Sequence, residues 1–149
     1  MEIQTSRFGT LNVDDERVMT FPNGLLGFPN RAQFALIQTG SENYFFWLQS
    51  VEDPNLAFVV ADPAIFFKEY EVPIREELKQ ELRLSSPDFL QVFVICNKVG
   101  EWLTGNLLGP LVVNSENRLA QQTVLTDKKW TTRQPLLKLH AEMPLAKSA

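Results

Sequence analysis

The sequence predicts an all-β protein, a compact β-barrel-like single domain with one short helix. Three observations carry this reading. Short apolar runs recur between clusters of Pro, Gly, Asn and Asp, the spacing of a barrel or sandwich rather than an open α/β sheet. Phe is abundant, 11 of 149 residues, which suits a core built from strands. Only one stretch carries a helical period. A chain of this length can bury a real core without disulfides or metal.

Residues 2–6 and 8–13 predict two strands around a bend near Gly9. Asp14-Asp15 marks the next turn and 18–21 the next strand. Pro22-Asn23-Gly24-Leu25-Leu26-Gly27-Phe28-Pro29-Asn30 then places two Phe-Pro-Asn triplets around two glycines. Pro presets φ for a turn and Asn and Gly tolerate positive φ, so a structured loop is expected, with Asn23-Gly24 and Gly27 at positive φ or close backbone approach. Residues 31–38 and 44–49 predict strands joined by 39–43. The apolar strand 56–61 is bracketed by Asp53-Pro54 and Asp62-Pro63. Asp bonds its own backbone two residues on, and Pro stops a ladder.

The helix is expected over 73–84, with Pro73 at its first position and Ile74, Leu78 and Leu82 as its apolar stripe. Arg75, Glu76, Lys79, Gln80 and Arg83 form its solvated face. Residues 89–96 predict a strand buried on both faces, and 107–114 and 119–126 complete the set. No period is visible from Pro135, so the domain is expected over 1–135, with 136–149 a loosely held tail.

The first residues lack the apolar run of a signal peptide, and no run approaches the roughly 20 residues that span a bilayer. A cytoplasmic location is expected. The net charge of −4 argues against direct nucleic-acid binding, which draws on Lys and Arg. Residues 1–110 carry 8 basic and 15 acidic side chains, whereas 111–149 carry 6 and 3, so the main body is suited to steering a basic partner.

The residues give little to catalysis. Cys96, the sole cysteine, sits in an apolar run and is read as a buried, inert thiol; His140, the sole histidine, falls in the expected tail. The glycines of Gly100-Glu101-Trp102-Leu103-Thr104-Gly105 are spaced as in a P-loop, but Asn106-Leu107 follows where Lys-Ser/Thr is needed. Asp14-Asp15-Glu16 and Glu52-Asp53 sit at turns, where Asp has backbone reasons to be. Phe45-Phe46-Trp47 and Phe66-Phe67 are either core on both faces or exposed anchors for a partner. No cofactor, metal or enzymatic activity is expected.

Three stretches together resemble the FliW family: Phe21-Pro22-Asn23-Gly24-Leu25-Leu26-Gly27-Phe28; Phe46-Trp47-Leu48-Gln49-Ser50-Val51-Glu52-Asp53-Pro54, running on to Asp62-Pro63; and Asn106-Leu107-Leu108-Gly109-Pro110-Leu111-Val112-Val113-Asn114, followed by Arg118, Ala120-Gln121 and Val124-Leu125. Gly109 stands where the family pattern has Ala, and Trp130 where it has Tyr. The resemblance implies a cytoplasmic flagellar assembly factor with two protein partners; the sequence itself does not fix the oligomeric state, and a monomer is expected. One is the basic mRNA-binding regulator CsrA, whose repression of flagellin translation it relieves; the other is flagellin, which takes it away from CsrA. Candidate partner-binding or motif positions are Asn23, Gly24, Gly27, Phe28, Glu52, Asp53, Pro54, Asp62, Pro63, Asn106, Pro110, Asn114 and Gln121. The alternative is a small-ligand-binding β-barrel or an unrecognised enzyme. A deep polar pocket with converging ionisable groups would favour that alternative, and an apolar groove with an acidic rim the regulator.

Overall fold

The computed structural model describes residues 1–39 and 44–139, and the architecture is all-β, as the turn-punctuated sequence predicts. Strands β1 (Glu2–Thr5) and β2 (Gly9–Asn12) form a separate hairpin. The main antiparallel ladder contains β3 (Val18–Thr20), β4 (Gln33–Ile37), β5 (Phe45–Ser50), β6 (Ala57–Ala61), β7 (Leu90–Val99), β9 (Leu111–Asn114) and β10 (Ala120–Gln122). Its order is β10-β9-β7-β6-β5-β4-β3. A parallel bridge between Thr20 and Leu119, with the Thr20 N–H donating to the Arg118 carbonyl at 3.0 Å, joins the two ends and closes the barrel. The long β7 pairs with β9 along its first half and with β8 (Trp102–Gly105) along its second. Strand β11 (Gln134–Lys138) lies outside β8.

Register decides what the barrel encloses. Cross-strand pairs Met19–Phe34, Leu36–Leu48, Leu48–Phe58 and Phe46–Val60 share one face. They pack with Phe21, Leu25, Phe93, Leu111 and Val113 into the inner core. The opposite faces are covered too. The hairpin packs Ile3 and Val13 over Val18 and Ala35. A second outer cluster joins Tyr70, Cys96, Leu103, Leu107 and Trp130. The helix α1 (Glu76–Leu82) buries Leu78 and Leu82 against Val112. Phe45 and Trp47 point away from the barrel interior but are covered, Phe45 by Phe66 and Trp47 by Phe8 at ring separations of 5.9 Å. Phe67 packs on Trp130 at 5.2 Å. Trp47 is buried, Phe45, Phe46, Phe66 and Phe67 are half-buried against the core clusters, and Phe66 and Phe67 follow a 3-10 turn at Pro63–Ile65 instead of lying in a strand.

Several boundaries differ from expectation. The helix begins at Glu76, with Arg75 as its N-cap, so Pro73 belongs to the strap before it. Residues 107–110 are a turn, because the Asn106 side chain accepts the N–H groups of Leu108 and Gly109 and takes them out of a ladder. The Gly100 run is a β7–β8 hairpin, with Gly100 at φ +61°. A loose tail from 136 does not describe 136–139. Residues 136–138 lie in β11, and Leu136, Leu137 and Leu139 pack on the second outer cluster. The expected boundary at 135 therefore falls inside a strand. His140 and the rest of 140–149, like 40–43, lie outside the described residues.

Cys96 is buried, and burial pushes its thiol from an ordinary 9.0 up to about 12. Alkylation at pH 8 is expected to be slower than in the denatured chain by roughly a hundredfold or more, because the thiolate is the nucleophile. The raised value means the folded state holds this proton more tightly than the unfolded one. The associated stabilisation is complete below pH 9 and is lost as pH rises towards 12. Equal alkylation rates with and without denaturant would contradict the placement.

Candidate partner-binding groove

An acidic groove of about 330 Å³ lies between two segments far apart in sequence. One wall is the strap 71–75 with α1; the other is the extended run 121–127. Its apolar residues include Pro73, Leu78, Val124 and Leu125, and Glu71, Glu77, Glu81 and Asp127 surround them, with Arg75 the one basic lining residue. These charged residues are solvent-exposed. Glu71, Glu77 and Glu81 have no ion-pair partner among the described residues, unlike Glu76, which meets Lys79 at 3.7 Å.

The helical wall is fixed by its C-terminus. Arg83 adopts a left-handed φ of +53°, which lets the Leu84 N–H reach back to the Lys79 carbonyl at 2.9 Å. The carbonyls left at the helix end need donors. Asn114 Nδ2 donates to Leu82 and Arg83, at 2.9 and 3.2 Å, and Asn117 Nδ2 donates to Leu82 at 3.0 Å. The fully buried Asn114 thus ties β9 to α1.

The opposite wall continues β10. The Thr123 N–H donates to the Pro110 carbonyl at 3.0 Å, and the Leu125 N–H to the Leu108 carbonyl at 2.7 Å. Gln121 sits on this wall, its side chain on the same face as its cross-strand partner Val112, on which α1 rests. Gln122 points the other way and joins two motifs: its Oε1 accepts the Leu26 N–H and its Nε2 donates to the Gly109 carbonyl, both at 2.9 Å. Gly109 leaves room for this, since a Cβ there would stand 2.8 Å from Asn106 Nδ2 and 3.0 Å from Gln122 Nε2.

The sequence candidates divide. Asn106, Pro110, Asn114 and Gln121 build or line the groove. Asn23, Gly24, Gly27 and Phe28 belong to the loop that Gln122 holds beside it, and Phe28 meets Phe58 edge-on at 5.4 Å. Glu52, Asp53 and Pro54 do not line it. Asp53 Oδ1 accepts the Asn55 N–H at 3.0 Å within the turn, while Glu52 Oε1 accepts the Gln33 N–H at 3.0 Å and the Pro54 carbonyl accepts the Ser6 N–H at 2.9 Å, tying the turn to β4 and to the N-terminal hairpin. Asp62 caps the short 3-10 turn at buried Pro63 by accepting the Ala64 N–H at 2.9 Å. Sequence reading missed Glu71, Glu77, Glu81 and Asp127. The available signal was Glu77 and Glu81, four apart on one helical face.

A larger hollow, about 670 Å³, opens onto the inner core beside Phe46 and Phe93. Its charged rim is balanced, with Glu16 and Glu116 against Arg17 and Arg118. Among the described residues no cluster of three or more His, Cys, Asp or Glu is placed to hold a metal ion. Among the described residues, the two groups with pKa values raised by burial, Tyr70 and Cys96, lie in the second outer cluster, not in the groove. Among the described residues no helix is long and apolar enough to cross a membrane.

Fold and groove together define a small β-barrel-like protein that offers an acidic groove beside a helix. The family model described as FliW protein matches residues 2–136. The chain belongs to the FliW family of flagellar assembly factors. It is 40% identical over 139 residues to the flagellar assembly factor FliW of Treponema denticola, covering 92% of this chain and 94% of that one. It is 36% identical over 138 residues to that of Bacillus subtilis, covering 91% and 96%. A crystal structure of the flagellar assembly factor FliW superposes with a TM-score of 0.82 at 29% identity, covering 92% of this chain and 97% of that chain.

Proposed function

We propose that this chain acts in the cytoplasm by binding, not catalysis, as a partner-switching regulator. It holds CsrA and relieves repression of flagellin translation until newly made flagellin takes it away. The observation that carries the reading is the groove, whose four carboxylates face one Arg and suit a basic partner. An acidic protein docked beside an RNA-binding surface also repels phosphate through space, without having to cover the whole site.

The test is a titration of the preformed complex with CsrA, using flagellin as competitor. Release of CsrA and recovery of its RNA binding are expected. A stable ternary complex that still fails to bind RNA would sink the switch. Salt separates the two contacts. Raising it from about 0.05 to 0.5 M shortens the screening length from roughly 14 to 4 Å, which should slow association of CsrA more than of flagellin.

A further inference from the structure

The run 119–126, Leu-Ala-Gln-Gln-Thr-Val-Leu-Thr, forms one side of the groove and contains no charged residue, no Pro and no Gly. It lies at the end of the ladder, paired with β9 on one side only, and the barrel closes against it through the single bridge at Leu119. Backbone groups of an antiparallel strand point alternately to either side. Strand β10 ends at Gln122, but Thr123 and Leu125 continue its pattern by directing their N–H groups to Pro110 and Leu108, and by the same alternation the backbone groups of Gln122, Val124 and Thr126 belong to the opposite edge. Val124 and Thr126 are solvent-exposed, Val124 at 61%.

Proteins commonly guard such an edge with Pro, charge or a bulge. Strand β11 carries all three, in Pro135, Lys138 and the register shift between Pro135 and Leu137. The 122–126 edge has none of these within its run. We propose that it is a docking edge: an extended, basic segment of a partner adds to it as a strand and sends alternate Lys or Arg side chains over Thr123 into the groove. The added backbone would lie about 4.8 Å from 122–126, with every second side chain on the Gln121 and Thr123 face. From there a long basic side chain reaches towards Glu77, Glu81 and Asp127. The inference rests on the groove being a partner site, and adds the mode of recognition and the partner's conformation.

The probe is a fluorescein-labelled decapeptide of alternating Lys and Thr, followed by anisotropy on the full chain. Val124→Pro removes an edge donor while leaving the Thr123 and Leu125 bonds intact. A second probe carries N-methyl groups on alternate amides, so its charge is kept while its pairing edge is blocked. At least tenfold weaker binding is expected for Val124→Pro with the first peptide and for the N-methylated peptide with the parent chain. The double variant Glu77→Lys, Glu81→Lys should weaken binding as much. If Val124→Pro fails to fold, the N-methylated peptide decides alone. Undiminished binding of that peptide, with the charge variant still weakened, overturns strand addition and leaves the groove reading standing. Binding unaffected by the charge variant as well overturns both.

Discussion

Gly24→Val is expected to lower the melting temperature by roughly 10 °C. Gly24 has φ +68°, and an ideal Cβ there would stand 2.5 Å from the Phe28 carbonyl oxygen and 2.7 Å from Pro29 Cα. Both obstacles are backbone, so no rotamer change relieves them. Left-handed strain in a β-branched residue costs about 1–3 kcal/mol, and forced overpacking about the same again. The sum is about 4 kcal/mol, and each kcal/mol shifts the midpoint of a chain this size by roughly 2–4 °C. Gly27 separates the two causes. It also has positive φ, +86°, but nothing lies within 4 Å of its would-be Cβ. Gly27→Ala should therefore cost only about 1–2 kcal/mol, the left-handed term alone. Thermal denaturation of Gly24→Ala and Gly27→Ala side by side checks this, and equal losses would remove the close approach from the explanation.

Truncation after Arg133, compared with a chain ending at Leu139, is expected to cost about 3–5 kcal/mol. Three half-buried leucines leave the second outer cluster, each worth about 1 kcal/mol at half the value of full burial. Strand β8 also loses its ladder partner. Leu136 matters most, since its Cδ1 lies 3.1 Å from where a Cβ on Gly105 would stand, so it closes over the glycine and Val94. Denaturant unfolding of both chains measures the difference. Midpoints that coincide would show that β11 adds nothing to the fold, as the unpatterned sequence alone suggests.

Local chemistry made the turns legible. Positive φ at Gly24 and Gly27, the Asp62-Pro63 cap and the Asp53-Pro54 turn all follow from what Gly, Asp and Pro do to their own backbone. The apolar stripe of α1 was equally readable, because Leu78 and Leu82 need only helical periodicity to share a face. Strands β8 and β11 were not. Trp102–Gly105 looks like a damaged phosphate loop but turns back on β7 as a hairpin, and Gln134–Lys138 looks like a tail but becomes a strand by pairing with β8 some thirty residues away.

The sequence by itself therefore determined an all-β chain with a glycine-shaped loop and one amphipathic helix, and its three motifs marked the FliW family. Only the tertiary structure decided where those motifs meet. Gln122 links the first to the third through its two amide atoms, and Asn114 fastens the third to the helix. The groove arises only when α1 docks on Val112 beside 121–127. Until then Glu71, Glu77, Glu81 and Asp127 are ordinary solvated carboxylates. Closure gathers like charges on one surface, and a field of one sign is a property of three-dimensional proximity that no local pattern encodes.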